Sequence, residues 1–456
     1  MLAPCPCCAE RKKGRFVRAA APADAILCTA CADYDDADDR HASHLCPADL
    51  PIVPLVLDEA WEGLSPSDRL YAHHFARACW SGMPIVAAQT SSESPAILEL
   101  IARLFARGGP HGLRAALPPG AVTDAQWGEL LDYCCFCVGN LGNYKAIGDS
   151  KVVPRLPPAA FAAVVAAACD SRATALWQLI EGRVYSTAPH ELGFGMAPNG
   201  TSAYYARDLT LADAELVGRA LESRGEEAWN TRVEARAKAD GPPTLVVRSA
   251  SVDEVAEEPF EFEGRSLVRA SGDHSRSLVR VIDHLRAALP HAGSAHAAEM
   301  LRHMIDHFTS GAIGLHKLAS AAWVRDDPNV ETTIGFIETD RDPAGVRAEF
   351  EGFVAVRNAA MSDKFAKLVE MAPTLLGRLP WGAEFEKDAF QAPAFTSLDV
   401  LAFCSGSLPL GICLPNYDDV RTSTGFKNVD LGNVCTARSD GAYRLFLSES
   451  DAELFV

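Results

Sequence analysis

The spacing of apolar and polar positions divides the chain into stretches of different period. In "SPSDRLYAHHFARACWSG", residues 65–82, Leu70, Tyr71, Phe75, Ala78 and Cys79 fall on one helical face. Ser65 stands as N-cap, Pro66 in the first helical position, Asp68 in the first turn and Gly82 just past the end. Ser94-Pro95 opens a second helix running through Phe105, and Thr123 with Gln126 opens a third that stops at Gly139. The middle changes period: "TLVVRSASV" at 244–252 and "FEFEGRSLVRA" at 260–270 alternate or run β-branched, and Gly264 marks a turn between two strands. Helical spacing returns at 275–289, 294–310 and 347–373, after which "SLDVLAF", "GICLPN" and "YRLFLS" predict short strands. Helices and strands are segregated rather than alternating in βαβ units, which predicts the α+β class. No internal repeat or low-complexity linker interrupts the pattern.

A length of 456 residues suggests two or three domains and a large core. Apolar residues make up 48% and charged residues 22%, and no apolar run is long enough to span a bilayer, so a soluble protein without membrane contact is expected. The start, "MLAPCPCCAERKK", has no apolar h-region, and the Arg- and Ala-rich stretch 11–23 is followed by acidic residues that a transit peptide lacks. A formal charge of -18 repels phosphate backbones, which argues against nucleic-acid binding and tolerates neutral or cationic ligands. Fourteen cysteines without a signal point to reduced thiols in the cytoplasm. Cys134, Cys135 and Cys137 share a helical stretch with Leu130, Leu131 and Val138 and read as core.

Residues 1–51 differ from the rest and read as a Cys- and Asp-rich appendage. Cys5-x2-Cys8 and Cys28-x2-Cys31 have a spacing compatible with a small zinc ribbon, with His41, His44 and Cys46 as spare ligands. The segment has few large apolar residues to back a metal, so an appendage without zinc is the default. "DYDDADD" at 33–39 lacks the glycine and distal Glu of a calcium loop and reads as a solvated acidic stretch. His190-Glu191 looks like the start of a zinc-protease H-E-x-x-H helix, but Phe194 occupies the place of the second His, and Gly193, Gly195 and Pro198 predict a loop. His303, Asp306 and His307 approximate an inverted H-x-x-E-H motif. The shorter Asp and the adjacent Arg302 make a solvated or interface face the preferred reading. No G-x-S-x-G elbow or Walker loop is present.

Several longer strings go beyond what fold chemistry requires: "DRLYAHHFARACW" (68–80), "GNYKAIGDSKVVP" (142–154), "FTSGAIGLHK" (308–317), "IGFIETDRDPAGVRAEFEGFVAVRNAAMSDKF" (334–365), "LPWGAEFEKDAFQAPAFTSLDVLAF" (379–403) and "GICLPNYDDVRTSTGFKNVDLGNV" (411–434). Together, and in this order, they resemble the dipeptidyl peptidase III family of zinc exopeptidases, from about residue 52 to the end. The resemblance implies two lobes around a cleft: a lower lobe with a β-barrel-like core and a helical upper lobe that carries zinc. Residues 52–351 and 397–442 correspond to the lower lobe, and 352–396 with 443–456 to the start of the upper one. The family's H-E-x-x-G-H helix and its third zinc ligand are expected beyond Val456, so no zinc site is expected within this chain, and as given it is expected to be inactive.

The resemblance implies release of dipeptides from short peptides with a free N-terminus. Substrate is expected to add as a strand along Leu410, Gly411, Ile412 and Cys413, while Glu331, with Thr332 beside it and helped by Asn416, pairs with the peptide's ammonium. Three departures stand out: Thr333 where the family has a tyrosine, Cys413 where it has an asparagine, and Ile147 where it has an aromatic residue. These leave a second reading open, a non-catalytic peptide-binding or interaction protein.

Overall fold

A computed structural model describes residues 42–48, 50, 52, 54–385 and 395–439. Its first part is helical: α1 (Asp58–Glu62), α2 (Pro66–Ser81), α3 (Met83–Thr90), α4 (Ser94–Leu104), α5 (Gly109–Ala116), α6 (Asp124–Gly139), α7 (Pro158–Ala167), α8 (Ser171–Val184) and α9 (Leu211–Glu222). The expected caps hold α2 and α6. Ser65 Oγ accepts from Asp68 N while Asp68 accepts from Ser65 N, and Thr123 with Gln126 repeats the arrangement. Helices α4, α6, α7 and α8 bury a core of their own around Tyr133, Phe161 and Trp177, into which Cys134 and Cys137 point as expected.

Strands β1 (Thr231–Arg236), β2 (Thr244–Ala250), β3 (Glu258–Phe262) and β4 (Arg265–Asp273) form one sheet in the order β1-β2-β4-β3. Glu263 and Gly264 make the β3–β4 turn, both with positive φ (46° and 73°), as a two-residue hairpin loop requires. Helices α10 (Ser275–Ala288), α11 (Ala295–Ser310) and α12 (Ile313–Arg325) follow. The second sheet comprises β5 (Val330–Glu338), β6 (Glu349–Arg357), β7 (Phe395–Cys404), β8 (Gly411–Leu414) and β9 (Lys427–Leu431), ordered β5-β6-β7-β9-β8. Helices α13 (Ala359–Leu376), α14 (Asp418–Ser423) and α15 (Gly432–Ser439) complete the described elements. The class is α+β, and among the described residues both sheets are open. Side chains bridge the two ends of the second sheet: Asn416, just past β8, donates to the Ile337 carbonyl on β5, and Lys427 on β9 reaches Glu331 on β5.

The largest core lies where α2, α10, α11 and α12 cover this second sheet. Glycines allow the approach: a Cβ on Gly82 would sit 1.9 Å from the Phe350 ring, and one on Gly352 2.9 Å from Cys79 Sγ. Several expectations need correction. The helix expected over 347–373 begins only at Ala359, capped by Asn358, because residues 349–357 form β6. Phe350, Phe353, Val354, Ala355 and Val356 are all buried, and a strand covered on both faces loses the alternation that would distinguish it from a helix. His307 is core rather than solvated: it is 1% exposed and its Nδ1–H donates to the Ala312 carbonyl. His44 and Cys46 are tied into the fold: His44 Nδ1 bonds the Lys151 carbonyl, and Cys46 is buried, its thiol pushed up to about 12. Cys5, Cys8, Cys28, Cys31, His41, the 33–39 run and "YRLFLS" lie outside the described residues.

Candidate peptide-binding site

Strand β8 is an edge strand, antiparallel to β9 on one side. The Leu431 N–H donates to the Leu410 carbonyl, so the two-residue period of the ladder spends the main-chain groups of Ile412 and Leu414 on β9 and turns those of Gly411 and Cys413 outward. Gly411 and Cys413 are exposed, Ile412 is half-buried and Leu410 packs partly against the core. Gly411 also lies close to β9, where a Cβ would stand 2.8 Å from the Val429 carbonyl oxygen. The departure at Cys413 places a thiol beside Arg421, whose guanidinium lies 3.5 Å from Sγ and donates to the Pro415 carbonyl at 2.9 Å and, at 3.4 Å, to the outward Cys413 carbonyl that an added strand would have to share.

Across from this edge, β5 carries the other expected residues on alternate faces. Glu331 is 4% exposed and fully engaged: Lys427 Nζ lies 3.0–3.1 Å from both oxygens, and Trp323 Nε1–H donates to Oε1 at 2.5 Å. Burial pushes its carboxyl up against the pull of Lys427. Thr332 faces the opposite way and bonds Tyr71 Oη at 2.8 Å within the core. Thr333 returns to the face of Glu331 and lines a hollow of about 10 Å³, room for one water, together with Trp323, His316, Leu414, Asn416 and Tyr417. The structure therefore brings Thr333 and Asn416 together beside the end of β8, places Glu331 behind Lys427, and turns Thr332 away.

Sequence reasoning missed the partners that organise this face. His316 Nε2–H donates to the Ile334 carbonyl at 3.0 Å, which makes its Nδ1 the acceptor for Tyr417 Oη–H at 2.9 Å. Gly335 leaves space for that ring, because a Cβ there would lie 2.1 Å from Nε2. Asn416 Nδ2 donates to Glu338 Oε2 at 3.0 Å as well as to Ile337. Glu338 and Glu349 are register partners, Glu351 is next along β6, and burial raises all three carboxyls, most strongly Glu351. The E-F-E alternation at 349–351 was the available signal for a strand carrying two acids. Ile147, the third departure, is largely exposed.

Comparison with known proteins identifies the lineage. The model of "Peptidase family M49" matches residues 176–456. Dipeptidyl peptidase 3 of Dictyostelium discoideum is 39% identical over 414 residues, covering 91% of this chain and 59% of that protein. Its counterpart in Homo sapiens is 40% identical over 433 residues, covering 91% and 58%. The chain thus spans 58–59% of the length of these relatives. The structure of DPP III from Caldithrix abyssi shares the fold, with a TM-score of 0.54 at 16% identity over 88% of this chain and 60% of that one. Because the family model covers more than half of its residues, this chain belongs to peptidase family M49.

Proposed function

We propose that this protein is of the dipeptidyl peptidase III type, for short peptides with a free N-terminus in the cytoplasm, with turnover waiting on a zinc site that its described residues do not supply, and that the β8 edge is its peptide-holding floor. The observation that carries this reading is the outward main chain of Gly411 and Cys413 on an edge strand, in a chain of family M49. An added peptide strand would take main-chain bonds that accept many side chains, which suits broad specificity. Glu331 and Asn416 would receive the ammonium, with Lys427 displaced from Glu331, while Thr332 supports β5 from its other face. In this reading the five-stranded sheet represents the barrel-like core of a lower lobe made of 52–351 and 397–442, and 352–396 with 443–456 begin an upper lobe.

The reading calls for zinc. Among the described residues no group of three or more His, Cys, Asp or Glu side chains could hold a metal ion, so these residues do not fit the ion and no step is derived through it. Thr333 and Cys413 favour a second reading, a peptide-binding protein without turnover. A neutral tetrapeptide, free or N-acetylated, separates the two in the presence of zinc. Zinc-dependent dipeptide release is expected of the hydrolase, and amine-dependent binding without release of the binding protein. No binding of either peptide overturns both.

A further inference from the structure

The largest cavity among the prominent pockets of the described residues lies away from β8. It measures about 560 Å³, within the range of about 300–1,000 Å³ typical of small-molecule sites. Its walls come from the end of α3 and the turn into α4, the end of α8, and the 190–209 segment, and it shares no lining residue with the hollow beside Thr333. Two guanidiniums stand over it. Arg183 is tied through one nitrogen to Ser92 Oγ and lies 3.8 Å from Glu93, and Arg207 uses one nitrogen on His190 Nε2 (3.3 Å) and Glu191 Oε1 (3.4 Å). Each keeps the rest of its planar donor fork for an acceptor such as a carboxylate. Opposite in charge, Glu191 stands in the wall with its side chain one-fifth exposed, Arg207 lying 3.4 Å from Oε1 and Lys151 Nζ 3.8 Å from Oε2. Met196 and Tyr205 add apolar wall.

We propose that this cavity is a second ligand site, for a zwitterion with a free carboxylate and a free ammonium, of dipeptide size. The carboxylate meets the unspent forks of Arg183 and Arg207, the ammonium pairs with the Glu191 carboxylate in the wall, and the side chains rest on Met196 and Tyr205. The mixture of Arg183 and Arg207 with Glu93, Glu191 and Asp208 in the lining disfavours a pure anion. The site stands independently of the strand-edge reading. The 456-residue protein is titrated calorimetrically with leucyl-leucine, its N-acetyl and C-amide forms, and free leucine. Binding of the free dipeptide is expected, weakened about tenfold or more by either blocking group and by Arg183→Gln or Arg207→Gln, since each removes a charge-assisted bond. Both arginines are more than half exposed, so the variants are expected to melt like the parent. In Cys413→Pro, which removes an outward N–H from the β8 edge, the arginine-dependent part of dipeptide binding is expected to persist. No dipeptide binding at millimolar concentration overturns the proposal, as does binding indifferent to the arginines, binding lost only in Cys413→Pro, or free leucine binding as tightly as the dipeptide.

Discussion

Lys427 and Glu331 form an ion pair whose two side chains are 7% and 5% exposed, and a charge so placed depends on its partner. Removing one member of a buried pair costs about 3–5 kcal/mol because the other is left uncompensated, whereas replacing both is far milder. Lys427→Met is therefore expected to destabilise by about 3–5 kcal/mol in urea melts, and the double variant Lys427→Met/Glu331→Gln by clearly less. If the two variants melt alike, the pair does not hold the site together. The buried histidines give a pH dependence. Burial, then the neighbouring His316, lowers His307 from 6.5 to about 3. Below about pH 6.5 the unfolded chain takes up a proton that the folded one refuses, so this contribution is present above pH 6.5 and lost as pH falls. By about pH 4.5 the loss is of the order of 2–3 kcal/mol. Glu331, Glu338, Glu349 and Glu351, with raised carboxyls, act in the opposite direction. The contribution is isolated as the difference between parent and His307→Asn, whose urea-derived stability is expected to fall less between pH 7 and 4.5.

At the scale of elements, the β5–β6 pair depends on close approach rather than on propensity. A methyl on Gly335 would overlap the His316 ring that joins Ile334 to Tyr417, so Gly335→Ala is expected to destabilise by about 1–3 kcal/mol. Gly335 lies in an ordinary strand conformation with no positive φ, so its loss reports the clash without left-handed backbone strain, and a Gly335→Ala variant that melts like the parent would remove the packing argument. The same two strands mark where reading the sequence stopped short. α2 and α6 were legible because each carries a capping signal and an apolar stripe, and the β3–β4 turn because Gly264 announces it. β5 and β6 were not, because strands buried on both faces have no apolar period to read, and the short E-F-E alternation at 349–351 is swamped by the apolar run that follows it. Of the site, β8 and Asn416 were legible through the family resemblance alone. The engagement of Glu331 by Lys427, 96 positions away, is a long-range pairing that no local pattern carries.

At the scale of the whole molecule, α13 stands poorly covered among the described residues. Along α13 only Ser362 is buried, while Leu368 (53%) and Met371 (54%) stand exposed. Exposed apolar surface of this kind marks an association site. The relatives are longer than the 58–59% that this chain spans, so they have further chain with which such a face can be covered. Opposing association is the formal charge of -18, whose repulsion is long-ranged at low salt and screened beyond about 8 Å at physiological ionic strength. The balance predicts a salt response of definite sign: the purified chain is expected to sediment as a monomer in dilute buffer and to self-associate as salt rises, because apolar contact persists while repulsion is screened. Leu368→Glu/Met371→Glu places charge on the face without touching the core and is expected to stay monomeric at all salt concentrations with an unchanged melting temperature. Sedimentation that is independent of salt, or association that survives the double variant, would show that this helix is not the contact.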